Sequence, residues 1–213
     1  MKIRKIRTAL YNVLPGEKAH ALMAPRPKYI EGIEGVHPCP PVNSAILALI
    51  VPFENELALP LIKRVNRGKY HGGQIAFPGG KMEKEDADAL QTALRECHEE
   101  IGVPEEKVSI LGVLSDIYIP LSNFNITPIV GTTLQLPDFI LSQDEVEKVI
   151  LVKLRDLFDD RNKTTHSFVR HDHKIIAPGY KIGENFIWGA TAMIIAELEQ
   201  LMKTNTFNHL GKL

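Results

Sequence analysis

One amphipathic segment, over residues 86–101, constrains the fold of this sequence most strongly because its residues repeat with helical periodicity. At about 100° per residue, Glu96, Glu99 and Glu100 fall on one stripe, since positions i, i+3 and i+4 share a helix face. The apolar side chains form a separate face, made of Leu90, Ala93, Leu94, Cys97 and Ile101. The pattern therefore predicts a helix that packs on a core and presents an acidic stripe elsewhere.

The acidic stripe favours a metal site over a solvated helix face, although a single Glu-Glu pair would favour the solvated face. Carboxylates at this spacing repel each other by about 0.2–0.5 kcal/mol per pair on an exposed helix. A hard cation such as Mg²⁺ relieves this repulsion, because it prefers oxygen ligands. Gly79 and Gly80 allow the backbone to turn and approach a ligand closely. Arg95 can pair with Glu99 or Asp88 and so hold the stripe in place.

Residues 95–103, Arg-Glu-Cys-His-Glu-Glu-Ile-Gly-Val, resemble the second half of the Nudix box, Arg-Glu-U-x-Glu-Glu-x-Gly-U with U apolar. The first half differs, because one extra residue separates Gly80 from Arg95. The first acid of the box normally forms an ion pair that supports the arginine. Asp86 and Asp88 are the two candidates for that role here.

The extra residue and the upstream sequence resemble the coenzyme A pyrophosphatase branch of the Nudix hydrolase family. The signature of that branch looks like Leu-Leu-Thr-x-Arg, then a basic residue, a glycine and Phe-Pro-Gly-Gly. Arg64, Gly73 and residues 77–80 fit this signature. Ile62 stands in place of the threonine, and Lys69 in place of the usual arginine.

The resemblance implies a Nudix-type α/β/α sandwich with a mixed central sheet. The irregular alternation of strands and helices also favours an α/β fold with a mixed sheet. The predicted strands are Ala45–Pro52, Leu57–Arg64, 74–77, Val108–Ser115, Ile126–Thr132, Val146–Val152 and a hairpin of His166–Arg170 with Lys174–Ala177. A last helix is predicted from about Ala190 to Met202.

The chain is predicted to divide into an N-terminal helical and loop extension, residues 1–41, and a Nudix hydrolase domain, residues 42–213. The first fourteen residues have apolar positions at helical spacing, and a loop rich in proline and glycine follows at 25–41. Two roles remain open for the extension: covering the site or forming a homodimer interface.

The resemblance implies an enzyme that hydrolyses the pyrophosphate bond of coenzyme A or its derivatives, giving 3′-phosphoadenosine 5′-phosphate and 4′-phosphopantetheine. Mg²⁺ is the expected cofactor, with Mn²⁺ as an alternative. Glu96 and Glu100 are the implied principal metal ligands, and the Gly80 carbonyl is a further one. Glu99 is either a shared metal ligand or the general base, and Arg95 is the supporting catalytic arginine.

Two alternatives to Glu99 as general base lie in a later acidic loop before a strand, since some Nudix enzymes take the base from such a loop. They are Glu145 and Glu147, which could equally be surface charges.

A basic cluster that precedes the glycines suits a substrate with several phosphates. Arg64 and Lys69 match signature positions and are predicted to contact phosphate, with His71 and the backbone at Gly79 as further substrate contacts. His71 could instead cap a turn. The roles of Lys63 and Arg67 stay open between phosphate contact and an ordinary exposed strand end.

Composition narrows the partners and the location. Lys and Arg number 25 and Asp and Glu 26, so the net charge of −1 gives no reason to expect nucleic acid. The longest apolar run, Ala45–Val51, is too short to cross a bilayer. Two cysteines, Cys39 and Cys97, suggest no disulfide framework, which fits a reducing cytoplasm.

Two other functions compete with coenzyme A hydrolysis. One is Nudix hydrolysis of another nucleoside diphosphate derivative: ADP-ribose, a dinucleotide or a nucleoside triphosphate. The other is a catalytically silent module that senses nucleotides. The intact trio Glu96, Glu99 and Glu100 argues against the second, because a sensor need not retain all three.

Overall fold

The computed structural model describes residues 3–26, 39–66, 73–170 and 173–207. The helices are α1 (Ile3–Leu10), α2 (Glu17–His20), α3 (Ala89–Ile101), α4 (Leu154–Leu157) and α5 (Gly189–Phe207). The strands are β1 (Val42–Phe53), β2 (Glu56–Arg64), β3 (Ile75–Ala76), β4 (Gly79–Lys81), β5 (Ser109–Val113), β6 (Ile117–Ile119), β7 (Phe124–Thr132), β8 (Val146–Lys153), β9 (Lys163–Arg170), β10 (His173–Ile182) and β11 (Asn185–Trp188). Single 3-10 turns occupy Glu105–Lys107 and Asp160–Asn162.

Within the described residues, the main sheet has eight strands and is mixed, as predicted. Its central path runs β3-β2-β1-β7-β5, with β4 also paired to β1, β6 to β7 and β8 to β2. The β1–β7 pair is parallel, and the other pairs of this sheet are antiparallel. A second, three-stranded antiparallel sheet has the order β11-β10-β9.

The continuous apolar run in β1 exists because both faces of this central strand are buried. Leu47 and Leu49 belong to the hydrophobic core that also contains residues of α3. Ala48 and Ile50, which point the opposite way along the strand, belong to the core that contains residues of α5. Each helix therefore covers one face of the sheet.

This arrangement is the predicted α/β/α sandwich, with α3 in one helical layer and α5 in the other. The predicted strands and the two long helices are present. Strands β4, β6 and β11 were not predicted, because three or four residues are too few to show an alternating pattern. No helix within the described part of the chain is long and apolar enough to cross a membrane.

Residues 3–26, which fall within the predicted N-terminal extension, pack on the face of the sheet opposite α3. Ile6, Ala9 and Met23 join the core that contains α5. Arg26 exchanges two backbone hydrogen bonds with Ile176 of β10, each of 2.8 Å. The predicted helix of the extension is thus present and docked on the domain.

One buried carboxylate joins the extension to α5. Glu197 accepts hydrogen bonds from the Gly16 backbone at 3.0 Å and from the Ser115 hydroxyl at 2.6 Å, and its Oε2 lies 2.9 Å from His20 Nε2. Burial raises the pKa of Glu197, but the contacts with His20 and Ser115 outweigh that effect and lower it overall. A charged carboxylate at this position holds three separate segments together.

We expect Glu197→Ala to lower the free energy of unfolding by about 3 kcal/mol, because it leaves buried donors without their acceptor. Urea denaturation followed by circular dichroism measures this change. Gln200→Ala, one turn further along α5, is the matched control and should stay within about 0.5 kcal/mol of the wild type. Equal effects of the two substitutions would contradict the prediction.

Candidate active site

Helix α3 sets the orientation of the acidic stripe through its two caps. At the start, Asp88 has extended backbone, and its side chain accepts a hydrogen bond of 2.8 Å from the Gln91 backbone. At the end, Gly102 adopts a left-handed conformation with φ of +73°, and its N–H donates to the His98 carbonyl at 2.8 Å. The helix therefore begins at Ala89 rather than near residue 86.

Asp86 is the acid that supports Arg95. Its two carboxylate oxygens accept from Arg95 Nε at 3.0 Å and Nη2 at 2.9 Å, which is a bidentate ion pair. The hydrogen bond from Arg95 holds the pKa of Asp86 well below its usual range. Asp86 also accepts from the Thr92 hydroxyl at 2.9 Å. Of the two candidates, Asp86 has the supporting contact, whereas Asp88 caps the helix.

Arg95 in turn binds two members of the acidic stripe. Its Nη1 donates to Glu96 Oε1 and to Glu99 Oε2, both at 3.0 Å, so the predicted Arg95–Glu99 pair is present. The predicted alternative pairing with Asp88 is wrong, because that side chain is turned to the helix N-terminus. The Arg95 guanidinium therefore contacts Glu96 and Glu99 through Nη1, while Asp86 fixes it through Nε and Nη2.

Glu96 lies against the backbone of the glycine bend. A Cβ atom added to Gly80 would come within 2.5 Å of Glu96 Cδ, so only glycine leaves room for this carboxylate. Burial raises the pKa of Glu96, although Arg95 opposes the shift. Glu99 is the exposed member of the stripe, with 56% of its side chain accessible.

We expect Gly80→Ala to displace the Glu96 carboxylate and lower kcat/KM by about 10- to 100-fold, because small misplacements of reacting groups are costly. Stability should change by less than about 1 kcal/mol, since Gly80 has no positive φ and Glu96 can swing aside. Steady-state kinetics and thermal melts measure both effects.

The control is the same change in a Glu96→Ala background, where no carboxylate remains to be displaced. There, Gly80→Ala should cost less than about threefold. An equal loss in both backgrounds would contradict the explanation.

Glu100 is the buried member of the stripe, with 1% of its side chain exposed. Its Oε2 accepts from the Gly79 backbone at 2.9 Å, and its Oε1 accepts from Arg64 Nη2 at 3.1 Å. Burial raises the pKa of Glu100 to about 7, although Arg64 and the Gly79 N–H both act against the shift. Burial therefore outweighs the contacts with Arg64 and the Gly79 N–H that stabilise the charged carboxylate.

The loop before β8 reaches the C-terminal end of α3. The Ser142 N–H donates to the Glu100 carbonyl at 3.0 Å, and the Val65 N–H donates to the Glu145 carbonyl at 2.9 Å. The charge of Glu145 contributes to the raised pKa values of Glu96 and Glu100, so this residue lies near the site.

Glu147 points elsewhere and forms an exposed ion pair with Lys63 at 2.6 Å. Lys63, whose role the sequence left open, thus pairs with an acidic residue of β8 and not with one of α3. The remaining predicted basic contacts, Lys69 and His71, and the open candidate Arg67 lie outside the described residues.

The site brings carboxylate oxygens close together, but they are not arranged around a common point that a metal ion could occupy. Across residues 3–26, 39–66, 73–170 and 173–207, no group of three or more His, Cys, Asp or Glu side chains is arranged to hold a metal ion. The carboxylates of Glu96, Glu99 and Glu100 contact Arg95 and Arg64 instead. A divalent cation nevertheless fits, because the ligands are hard oxygens and the two less exposed carboxylates have pKa values raised by burial.

Two residues of this network were not singled out by the sequence. Thr92 donates to Asp86, and the Lys81 carbonyl accepts from Arg95 Nη2 at 3.2 Å. A threonine in the first turn of the helix gives little signal, because such hydroxyls usually serve the local backbone.

Comparison with known proteins agrees with this architecture. The model of the NUDIX domain matches residues 43–171 of the chain. A protein described as uncharacterized Nudix hydrolase NudL from Enterobacter sp. (strain 638) is 34% identical over 161 residues, covering 74% of this chain and 82% of its own. Its counterpart from Pectobacterium atrosepticum is 35% identical over 158 residues, covering 73% and 80%.

Solved structures share the fold at low sequence identity. A NUDIX hydrolase from Nitrosomonas europaea superimposes with a TM-score of 0.50 at 20% identity, covering 84% of this chain and 77% of its own. A MutT/nudix family protein from Enterococcus faecalis gives 0.50 at 17%, covering 84% and 71%.

The chain belongs to the Nudix family. It is a hydrolase that acts on phosphoric anhydride bonds, with a nucleotide derivative as substrate. Nudix hydrolases generally use divalent metal ions, which agrees with the oxygen ligands described above.

Proposed function

We propose that this chain hydrolyses the pyrophosphate bond of coenzyme A or its derivatives in a Mg²⁺-dependent reaction, giving 3′-phosphoadenosine 5′-phosphate and 4′-phosphopantetheine. The observation that carries the proposal is the 3.1 Å contact between Arg64 and Glu100. This contact brings the arginine of the coenzyme A signature to α3, the helix that carries the Nudix box residues. A guanidinium is well suited to phosphate, and coenzyme A carries a 3′-phosphate besides its diphosphate.

The acidic residues and the glycine bend would hold the metal, with Glu96, Glu99, Glu100 and the Gly80 carbonyl as ligands. Mg²⁺, or Mn²⁺ in its place, would neutralise phosphate charge there and make water more acidic. Arg95 would support these ligands. Asp86 fixes its guanidinium, and that guanidinium contacts both Glu96 and Glu99.

The reaction also needs a base and a leaving group. The oxygen of a water bonds to one phosphorus while Glu99 or Glu145 accepts its proton. The bond from that phosphorus to the bridging oxygen breaks, and the second phosphate leaves with the electron pair. A positioned base typically contributes 10²- to 10⁴-fold to such a step. Arg95 fixes the position of the Glu99 carboxylate, which supports Glu99, and proximity to Glu96 and Glu100 supports Glu145.

The remaining assignments concern location and organisation. Cys39 and Cys97 are free thiols, which supports a reducing, cytoplasmic location. We assign the catalytic domain to residues 42–213, with residues 1–41 as an accessory extension in a chain that forms a homodimer. The apolar side chains Tyr11 and Val13, exposed in the extension, support the dimer.

Product analysis after incubation with coenzyme A and Mg²⁺ tests the substrate. We expect the two predicted products, and slower turnover of dephospho-coenzyme A, because that substrate lacks the 3′-phosphate. Faster hydrolysis of ADP-ribose, a dinucleotide or a nucleoside triphosphate would overturn the proposal in favour of another Nudix substrate. Calorimetric binding without release of product would instead identify a silent sensor.

A further inference from the structure

The contact between Arg64 and Glu100 occupies an oxygen that a metal ligand must offer. Glu100 is buried, and both of its carboxylate oxygens have partners: the fixed Gly79 backbone on one side and the Arg64 side chain on the other. Only the second partner can leave without disturbing the fold, because 34% of the Arg64 side chain is exposed.

The backbone of Arg64 stays in place when its side chain moves. Its N–H donates to the Gln74 carbonyl at 3.0 Å, and its carbonyl accepts from Gly73 at 2.9 Å. The guanidinium is therefore tethered at the end of β2 and can rotate between Glu100 and solvent without leaving the site.

A divalent cation and Arg64 compete for the same oxygen. Mg²⁺ binds carboxylate oxygens at about 2.0–2.1 Å. A guanidinium nitrogen 3.1 Å from that oxygen would face the ion within a few ångströms, and like charges in a partly buried site repel strongly. Charge repulsion therefore favours movement of Arg64 away from Glu100 when a metal binds there.

We propose that Arg64 is a positioning residue that serves as the resident counter-cation of Glu100, and that a divalent metal displaces it and thereby frees its guanidinium for a substrate phosphate. This inference rests on the proposed function, because it assumes that Glu100 binds the metal. It couples the two binding events: the metal releases Arg64, and a phosphate that engages Arg64 relieves its competition with the metal.

Mn²⁺ binding to the substrate-free protein, measured by electron paramagnetic resonance of free Mn²⁺, tests this exchange. We expect Arg64→Met to bind Mn²⁺ about 5- to 100-fold more tightly than the wild type. Arg64→Lys retains a cation near Glu100 and should stay closer to the wild-type affinity. Lys63→Ala is the matched control: it removes a neighbouring cation whose partner is Glu147, and it should leave Mn²⁺ affinity unchanged.

Thermal melts give a second readout that does not depend on activity. Metal-free Arg64→Met should melt below the wild type, because Glu100 loses its charged partner. Mn²⁺ should then raise its melting temperature more than it raises that of the wild type, since tighter binding stabilises more.

The outcomes separate this inference from the proposed function. Unchanged or weaker Mn²⁺ affinity in a folded Arg64→Met, with normal binding by the wild type, overturns the exchange and leaves the proposed function standing. Absence of Mn²⁺ binding by the wild type overturns both. If Arg64→Met fails to fold, Arg64→Ala replaces it. A melting temperature and a Mn²⁺ affinity of Arg64→Ala equal to those of the wild type would likewise overturn the exchange.

Discussion

Glu100→Gln should abolish metal-dependent turnover while the protein stays folded. We expect kcat to fall by at least about 10³-fold, which corresponds to about 4 kcal/mol of lost transition-state stabilisation, because a neutral amide is a poor substitute for the carboxylate that we propose as a metal ligand. The fold should survive, since removal of the buried charge offsets part of the cost of the disturbed hydrogen bonds to Gly79 and Arg64.

Release of 3′-phosphoadenosine 5′-phosphate from coenzyme A under saturating Mg²⁺ and circular dichroism of the same preparation measure the two effects. Glu106→Gln is the matched control, because Glu106 lies exposed in the 3-10 turn beyond the same helix. It should retain wild-type activity. Near-wild-type turnover of Glu100→Gln with an unchanged Mg²⁺ requirement would remove Glu100 from the catalytic site.

The second large effect is expected at Asp86. Asp86→Ala should lower the free energy of unfolding by about 2–4 kcal/mol, because Arg95 and Thr92 lose a buried acceptor. Activity should fall by about 10- to 100-fold, since Arg95 would no longer be held in place to align Glu96 and Glu99.

Asp88→Ala is the control that tests the choice between the two aspartates. It removes only a helix cap and should cost about 1 kcal/mol, with activity close to the wild type. Urea denaturation and steady-state kinetics of both variants provide the comparison. A larger effect at Asp88 than at Asp86 would contradict the assigned ion pair.

The pH dependence of stability adds a signature of the Asp86–Arg95 pair. The hydrogen bond from Arg95 lowers the pKa of Asp86 in the folded state, so the pair contributes its full stability above the unfolded value of about 4. This contribution is lost as pH falls below that value. The stability difference between wild type and Asp86→Ala should therefore narrow in urea denaturation at pH 3 relative to pH 7.

Local patterns in the sequence were enough to predict the elements that form the site. The apolar spacing of 90–101 predicted the face of α3 that packs on the sheet, and Gly102 ends the helix with a positive φ. The continuous apolar run Ala45–Pro52 predicted a buried strand, and β1 is that strand. Such signals depend only on the period of each element, which neighbouring residues specify.

The choice among chemically similar partners could not be predicted in this way. Asp86 and Asp88 are two residues apart, but their roles differ. Asp88 is the residue that directly precedes and caps α3, whereas Asp86 lies two residues earlier, outside the helix. The extension posed the same difficulty, since His20 and its buried partner Glu197 are separated by 177 positions.

The sequence by itself determined that three carboxylates share a helix beside a glycine bend, because helical geometry fixes the relation of residues three and four positions apart. Only the tertiary structure decided which cation contacts Glu100 and which of the three carboxylates is buried. Arg64 and Glu100 lie 36 positions apart and meet because α3 packs against the sheet that contains β2. Burial raises the energetic cost of an uncompensated charge, and it depends on the whole chain around the group rather than on its neighbours in sequence.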